Sequence, residues 1–290
     1  MYYENDYQSI LAENSISGKS VLINLDTVVG KMSDLDLKVF RIIVSKGISE
    51  EKEAKEIVID TLIEEEKNCH SKDSVWRSID RLVTLDILRK EKINTGYRVF
   101  NMLYLSTSGD YIYKCIFKKN PPPFEHEKLR KEHGSYQHGY MIKDVKCVLE
   151  KRGFINVTTG RKENCMNFTD GKQLIPDVIA FKGGKQFFFE VECGNHNQED
   201  FNDKCNRLKA VTNTIVFIVK NRDDAKRKLR PQIENWFRKV RGSLKYTNTK
   251  VYLISITDFI NGKFTYIFDP NEDEPICCFE KKRKEGKDND

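Results

Sequence analysis

The sequence lacks any long run of apolar residues. Of its 290 residues 39% are hydrophobic, and no segment approaches the roughly 18 uninterrupted apolar residues of a membrane-spanning helix. The first ten residues, MYYENDYQSI, also lack the basic start and apolar stretch of a secretory signal peptide. We therefore expect a cytoplasmic protein without a membrane partner, with enough apolar side chains for one large domain or two modest ones.

Several short metal-binding and catalytic patterns are absent as well. The eight cysteines include no CxxC pair, and the histidines form no cluster of zinc-site spacing, so a structural zinc is not expected. The chain contains neither a GxSxG nucleophile elbow nor a GxxxxGKS/T phosphate-binding loop. The cysteines are expected to be reduced thiols, most of them in the core.

Proline is scarce, but three of the seven prolines are consecutive at 121–123. Because this run removes backbone donors and favours extended polyproline geometry, we place a domain boundary there. The predicted organisation is an N-terminal extension (1–34), a first folded region (35–118), a linker (119–139), a second folded region (140–279) and a disordered charged tail (280–290).

The first region has the pattern of three helices and a hairpin. Apolar residues recur at helical spacing over 37–45, an acidic helix is predicted over 50–66, and a third helix begins after Ser71 and ends near Leu85. A hairpin follows over 87–106, and a short strand is predicted at 21–25. This order is that of a winged helix-turn-helix, whose third helix lies in the DNA major groove.

The third helix carries candidate DNA-binding residues. With Val75, Ile79 and Leu82 facing inward, the residues predicted to face outward, towards phosphates and base edges, are Lys72, Ser74, Arg77, Ser78 and Arg81. The acidic second helix would have to face away from DNA. Two alternatives remain open: a small helical domain with solvated arginines, and a protein-docking module.

The second region predicts an α/β arrangement with an acidic hairpin, so that the whole chain is α+β. A helix over 139–152 is followed by a strand at 154–159, and apolar runs at 174–181 and 186–192 are joined by Gly183 and Gly184. A helix at 197–209 and a strand at 214–220 come next. Glu190 and Glu192 project from one face, roughly 6 to 7 Å apart, where their charges need compensation.

A hard divalent cation, Mg²⁺ or Mn²⁺, would compensate these charges, and Asp177 on the preceding run would complete the site. Asp177 follows Pro176 and precedes Glu190-x-Glu192 by thirteen residues. This motif, in the order helix, three strands, helix, strand, resembles the PD-(D/E)xK nuclease superfamily over roughly 140–256. The resemblance implies a restriction-endonuclease-like αβββαβ core in which Asp and Glu bind the metal and a Lys positions the attacking water.

The chain departs from that pattern at Glu192, which stands where the superfamily usually has Lys. A carboxylate cannot supply the missing positive charge, so another residue must supply it or the site is inactive. Lys204 on the following helix is our candidate, and Arg207 and Lys209 are the alternatives. The competing interpretation of the acid pair is an ordinary edge strand with solvated glutamates. Three nearby histidines, His133, His138 and His196, are predicted to be capping or surface residues; the alternative for the segment 133–140, which precedes the first core helix, is that it approaches the site.

A winged helix preceding Asp177, Glu190, Glu192 and Lys204 is similar to the MOBC type of mobilisation relaxases and to replication-relaxation proteins. The resemblance implies an endonuclease that nicks one DNA strand at an origin of transfer, with mobilisation or coupling proteins as further partners. The alternatives are a restriction or transposition endonuclease, a catalytically inactive DNA-binding regulator, and a protein-docking scaffold.

The positive charge is concentrated in one segment. Between residues 220 and 241 there are nine Lys or Arg and three Asp or Glu, an excess of six, equal to the net charge of +6 for the whole chain. The residues predicted to contact DNA phosphates there are Lys226, Arg227, Lys228 and Arg230. A solvated helix face is the alternative.

Overall fold

The computed structural model describes residues 28–66, 70–160, 165–192, 196–240 and 248–277. The strand predicted at 21–25 and the tail predicted at 280–290 lie outside these ranges. The fold is a mixture of helix and sheet, as expected, and it divides into two compact units. Unit 1 comprises 1–92 and 101–124, and unit 2 comprises 93–100 and 125–290. None of the described helices is both long and apolar enough to cross a bilayer.

Helices dominate the elements of the first part of the chain. The predicted helices and hairpin strands are present, with ends that differ from the prediction by a few residues. An additional helix, α4, follows the hairpin. The elements are α1 (Asp34–Lys46), α2 (Glu51–Glu66), α3 (Lys72–Thr84), β1 (Leu88–Asn94), β2 (Val99–Leu105) and α4 (Thr107–Phe117).

Side-chain caps determine where α1 and α3 begin. Ser33 and Asp36 form a reciprocal capping box at the start of α1, and the Ser71 hydroxyl accepts from the backbone N–H of Ser74 at the start of α3. The inward residues of α3 named above join Val39, Phe40 and other residues of α1 in one apolar core. Burial of these periodic positions stabilises the three-helix packing.

The second part of the chain alternates helices and strands. Its elements are α5 (Glu125–His133), α6 (Tyr136–Lys151), β3 (Ile155–Thr159), β4 (Met166–Asn167), β5 (Gln173–Leu174), β6 (Val178–Lys182), β7 (Lys185–Glu192), α7 (Gln198–Val211), β8 (Thr214–Val219), α8 (Arg222–Asp224), α9 (Arg230–Val240), β9 (Lys250–Ser255), α10 (Ile256–Ile260), β10 (Tyr266–Phe268) and β11 (Ile276–Cys277). A π-helical turn, Ala225–Leu229, joins α8 to α9.

Two of these elements differ from the sequence-based prediction. The segment 119–139 is not a simple linker, because it contains all of α5 and the start of α6. The apolar run at 174–181 is not one strand: it is interrupted between β5 and β6 at Pro176, which has no N–H to donate to a neighbouring strand. As a result Asp177 lies just before β6 and not within it.

Seven strands form one sheet in the order β11-β10-β9-β8-β7-β6-β3. β7, β8 and β9 are parallel neighbours, whereas β6 is antiparallel to β7 through the predicted Gly183-Gly184 turn. Both glycines have positive φ, of 57° and 74°, which a side chain at either position would disfavour.

Each face of this sheet is covered by its own helices. On one face, Phe188 and Phe217 of the sheet pack with Phe201 of α7 and Trp236 of α9. On the other face, α6 and α10 pack against residues that include Val178, Phe189 and Ile254. Because side chains alternate along β7, Glu190 and Glu192 point to the α7 face, and Phe187 and Phe189 point to the α6 face.

Candidate functional site

Three carboxylates lie at the end of the β6–β7 hairpin that is distant from its turn. Val178 pairs with Phe189 in the antiparallel register, so Asp177 lies next to Glu190. Glu190 and Glu192 pair with Phe217 and Val219 of the parallel strand β8. The register therefore brings Asp177, Glu190 and Glu192 together at the carboxyl end of β7, as the spacing of the motif predicts.

Helix α7 contributes a cation to the acid pair. The Lys204 Nζ lies 2.7 Å from Glu190 Oε2 and also donates a hydrogen bond to Glu192 Oε1. Of the two alternatives, Lys209 donates to Asn213 and Arg207 interacts with Asp203. Lys204 lies one turn after Phe201 on α7. Because Phe201 packs into the core, Lys204 on the same side of the helix reaches the acid pair.

The acid pair is almost completely buried. Glu190 is 1% exposed and Glu192 is 3% exposed. Burial raises the pKa of Glu190 to about 7, the Lys204 ammonium opposes this rise, and the negative charges of Asp177 and Glu192 add to it. Burial disfavours the Lys204 charge too, but the surrounding carboxylates raise the pKa of Lys204 well above its ordinary value. These are not the solvated glutamates of an ordinary edge strand.

One oxygen of this cluster lacks a hydrogen-bond partner. Glu190 Oε1 is buried, and no group among the described residues donates to it. A buried carboxylate oxygen in this state is expensive unless a proton, a water or a cation satisfies it.

Asp177 is held by contacts from two elements. Its Oδ2 accepts a 2.8 Å hydrogen bond from the Val191 backbone N–H and lies 3.4 Å from His138 Nε2, which is 3.1 Å from the Val191 carbonyl oxygen. Because both partners of Nε2 are acceptors, Nε2 carries the proton. Burial disfavours the Asp177 charge, but the interactions of this carboxylate with His138 and Lys204 outweigh the effect of burial and lower the pKa of Asp177.

His138 is a site residue, which was the less favoured of the two interpretations of its segment. It was assigned a capping or surface role, and its backbone N–H does donate to the capping hydroxyl of Ser135. Its ring, however, reaches across to β7, and the Asp177 carboxylate raises the pKa of His138 despite burial. The only available signal was its position in the first turn of α6. His196 is exposed, with its Nε2 3.5 Å from Glu192 Oε2.

Two observations bear on metal binding at this cluster. The oxygen ligands favour it, and the arrangement of the side chains does not. Carboxylate oxygens are the ligands that Mg²⁺ and Mn²⁺ prefer, and Glu190 Oε1 is available. Yet within the described ranges no three His, Cys, Asp or Glu side chains are grouped so that they could hold a metal ion. The Lys204 ammonium bridges Glu190 Oε2 and Glu192 Oε1, so a metal ion would have to use Glu190 Oε1 or displace the ammonium.

The predicted DNA-facing residues of α3 differ in their exposure to solvent. Lys72 and Arg77 are exposed and Ser74 is half-buried. The prediction for Ser78 is wrong: this residue is 3% exposed, and its side chain lies beside the buried Asp36, whose pKa it helps to lower. Arg81 is exposed, but its Nη1 donates to Asp36 Oδ2 at 2.8 Å, so its charge also ties α3 to α1.

An exposed tryptophan on the same helix was also missed. Trp76 is 50% exposed, and the Lys55 ammonium of α2 lies 2.9 Å from the centroid of its ring. The sequence signal was its position between Val75 and Arg77, on the outward side of the apolar stripe.

The basic segment begins at the same edge of the sheet as the acid pair. β8 runs parallel to β7, and the π-helical turn that carries Lys226, Arg227 and Lys228 follows it after α8. All three side chains are exposed, and Lys228 pairs with Asp224 at 2.8 Å. Arg230 is half-buried, pairs with Glu234 and covers the Tyr266 ring, so it is less available to a ligand than predicted.

Helix α9 approaches the segment that follows β7. The Gln232 side chain donates to the His196 carbonyl oxygen at 2.8 Å, and the Gln198 side chain donates to the Gln232 carbonyl oxygen at 3.1 Å. These bonds connect the basic segment with the loop that leaves the acid pair.

Comparison of the sequence with protein-family models and with curated proteins gives no match.

Proposed function

We propose that this protein is a metal-dependent DNA endonuclease, targeted by its N-terminal helices and hairpin, that hydrolyses or nicks a phosphodiester backbone. The observation that carries the proposal is the buried cluster of Asp177, Glu190 and Glu192 with Lys204 placed against it. A buried concentration of ionisable groups, among them Asp177, Glu190 and Lys204 with shifted pKa values, is typical of a reactive site.

The architecture supports a nuclease assignment for unit 2. The elements α6, β3, β6, β7, α7 and β8 follow one another in the order helix, three strands, helix, strand, with β4 and β5 as a short insertion. This is the order that the resemblance to PD-(D/E)xK nucleases implies. Asp177 and the two glutamates occupy the adjoining ends of the second and third strands of that order, where the resemblance implies a metal site.

Each residue of the cluster has a distinct role in this proposal. Asp177, held by His138 and the Val191 N–H, and Glu190, with its unpartnered Oε1, would hold Mg²⁺ or Mn²⁺, and Glu192 would position Lys204. The bound ion supplies a Lewis acid that polarises the phosphate and acidifies water. The Lys204 ammonium would offset negative charge on the phosphate oxygens, the task of the lysine that Glu192 replaces.

The N-terminal unit supports DNA targeting. Three helices followed by a two-stranded hairpin have the order of a winged helix-turn-helix, and α3 exposes Lys72 and Arg77 on the side opposite its buried stripe. The exposed Lys226, Arg227 and Lys228 would add phosphate contacts beside the acidic site. Action at an origin of transfer, as a relaxase-like nickase with mobilisation or coupling partners, is the specific form that we propose.

The decisive test is strand cleavage by the purified full chain. Supercoiled plasmid carrying the DNA that flanks the gene is incubated with Mg²⁺, with Mn²⁺ or with EDTA, and relaxed and linear products are separated on a gel. We expect metal-dependent nicking that Asp177→Asn and Glu190→Gln abolish. Lys204→Met should slow it about 10² to 10³-fold, the usual cost of removing one stabilising group from a transition state.

A second readout separates metal binding from activity. Calorimetric titration with Mn²⁺ should show binding to wild type that is lost in Asp177→Asn and Glu190→Gln. The matched control is Glu199→Gln, which alters an exposed carboxylate in the first turn of α7. Absence of nicking with both metals, or nicking unchanged by Glu190→Gln, would refute the endonuclease proposal.

Targeting by α3 has its own test. Arg77→Ala should weaken binding to duplex DNA and lower the slope of log Kd against log salt by about one, as expected for one lost phosphate contact. Lys52→Ala on the acidic helix α2 removes an equally exposed charge and should have no effect. Equal effects of the two substitutions would argue against α3 as the DNA-contacting element.

A catalytically inactive DNA-binding regulator is the second candidate. The observation in its favour is the Lys204 ammonium, which already forms ion pairs with both glutamates, together with the lack of a metal-ready group among the described side chains. Sequence-specific DNA binding that needs no metal, combined with no Mn²⁺ binding and no cleavage, would establish this candidate in place of the nuclease.

A further inference from the structure

Unit 2 contains an aromatic cavity on the sheet face opposite the acid pair. The cavity has a volume of about 320 Å³ and is open to solvent on one side. Six aromatic side chains contribute to its lining: Phe154, Phe187, Phe189, Tyr252, Phe259 and Phe264. Concave surfaces of this size that combine apolar walls with a few polar groups are typical of ligand pockets, whose volumes range over roughly 300–1,000 Å³.

The aromatic rings form two groups in contact, and one of them has an exposed edge. Phe154 lies 5.6 Å from Phe187 and 6.0 Å from Phe189, and Phe189 lies 6.0 Å from Phe259, measured between ring centroids. Phe264 packs on Tyr252 at 5.5 Å and is nevertheless 43% exposed. An exposed phenylalanine at the mouth of an aromatic pocket leaves apolar surface in water that a ligand would cover.

Among the described residues that line the cavity, every charged one is basic. They are Arg152, Lys182 and Lys263. The Arg152 Nη2 donates to the Ile260 carbonyl oxygen at 2.9 Å, and the Lys182 Nζ donates to the Arg152 carbonyl oxygen at 2.8 Å. These backbone contacts hold two cations beside the aromatic rings, and each cation retains further N–H donors for a ligand.

The ligand that fits these walls is flat, aromatic and anionic. We propose that the cavity binds an unpaired nucleotide, with its base against the aromatic rings near Phe264 and its phosphate at Arg152, Lys182 and Lys263. Stacking on aromatic side chains combined with cationic contacts to the backbone is how proteins hold single-stranded nucleic acid. The small volume favours one nucleotide over a longer ligand.

That the ligand is a planar aromatic anion follows from the walls of the cavity alone. That this anion is a nucleotide of a DNA strand rests on the proposed function. A free mononucleotide presents the same chemistry. A second binding position for one strand, separate from the acid pair, would retain a strand end or an unpaired segment after nicking. No cleavage is required for this binding.

The test uses the full chain in EDTA, so that the acid pair is inactive. A fluorescein-labelled oligothymidylate is followed by anisotropy, and a second strand with a central 2-aminopurine reports base stacking through fluorescence quenching. Phe264→Ala should weaken binding of the single strand about tenfold and reduce the quenching. Lys263→Ala should lower the salt slope by about one. Binding of the matching duplex should respond to neither substitution.

Two exposed residues outside the cavity provide matched controls. Val211→Ala removes a 36% exposed apolar side chain at the end of α7, and Lys128→Ala removes an exposed charge on α5. Both should bind the strand as wild type does. The same titrations with dTMP identify the source: binding of dTMP that depends on Phe264 supports a free nucleotide, and dependence of the strand alone supports DNA.

Several outcomes would overturn the proposal. Single-strand binding that is equally tight in Phe264→Ala and Val211→Ala, or cavity binding of oleate or an aspartate–phenylalanine peptide without any nucleotide, would refute it. Failure here is distinguishable from failure of the endonuclease. Glu190→Gln should retain the strand while losing metal-dependent nicking, and Phe264→Ala should retain metal binding.

Discussion

The charge of Glu190 gives this protein a specific dependence of stability on pH. The carboxyl group is buried, its Oε2 pairs with Lys204, and its Oε1 has no donor within the part of the chain that the structure describes. Burial and the neighbouring carboxylates raise its pKa from the ordinary 4.5 to about 7. Glu190→Gln keeps the shape of the side chain but removes the titrating group.

The sign and the magnitude follow from proton linkage. Between about pH 4.5 and pH 7 the folded protein retains a proton on Glu190 that the unfolded chain has released. Stability contributed by this group therefore falls as pH rises through that window. A pKa displaced from 4.5 to about 7 corresponds to about 3 kcal/mol. Relative to wild type, Glu190→Gln should gain up to about 3 kcal/mol of unfolding free energy across the window.

Urea denaturation of both proteins in EDTA, at a series of pH values spanning the window, measures this difference directly. Titrations of groups distant from Glu190 are shared by the two proteins and cancel. Glu199→Gln, at an exposed position, should differ from wild type by an amount that does not change with pH. A Glu190→Gln curve parallel to wild type, or one that loses relative stability as pH rises, would refute the assignment of a raised pKa.

Three further outcomes are expected. Lys204→Met should lower the unfolding free energy by about 3–5 kcal/mol at neutral pH, because it leaves two buried carboxylates without a cation, and the loss should shrink in the Glu190→Gln background of a double-mutant cycle. Asp258→Asn should lower the free energy of unfolding by about 2–3 kcal/mol, measured by thermal or urea denaturation. The reason is that Asp258, 2% exposed, accepts hydrogen bonds from Arg222 Nε at 2.9 Å and Nη2 at 2.7 Å. This difference should become smaller as pH falls through the lowered pKa of Asp258. Replacing all three basic residues at 226–228 with Ser should weaken DNA binding and lower the salt slope by about two to three, whereas an unchanged slope would show that these exposed charges do not contact phosphate.

Local signals predicted many of the secondary-structure elements. Ser71 caps α3, Gly183 and Gly184 form the β6–β7 turn, and Asn197 caps α7, as the residue types indicate. Each of these signals depends on a few neighbouring residues and on backbone preferences that operate before any long-range packing. The helices α4 and α5 were missed because charged or mixed segments near prolines lack a clear apolar period.

Residues whose role depends on a distant partner were predicted less well. Ser78 is polar and is predicted to face outward, but it is buried beside Asp36 of α1, which is distant in sequence. His138 was treated as a helix-start residue, but β7 places Val191 and Asp177 within reach of its ring. Periodicity gives the direction of a side chain only to within a sector of the helix. It does not show which polar group of another element lies in that direction.

By itself the sequence determined the alternation of β7, and with it the common face of Glu190 and Glu192, because the side-chain period of a strand is two. It also nominated Asp177 and Lys204 as their partners. Only the tertiary structure decided that the pair is buried, that the Lys204 ammonium rather than Arg207 or Lys209 reaches it, and that Glu190 Oε1 lacks a donor. Burial and ion pairing depend on how α7 packs against the sheet, and this packing sets the desolvation and Coulomb energies from which the shifted pKa values arise.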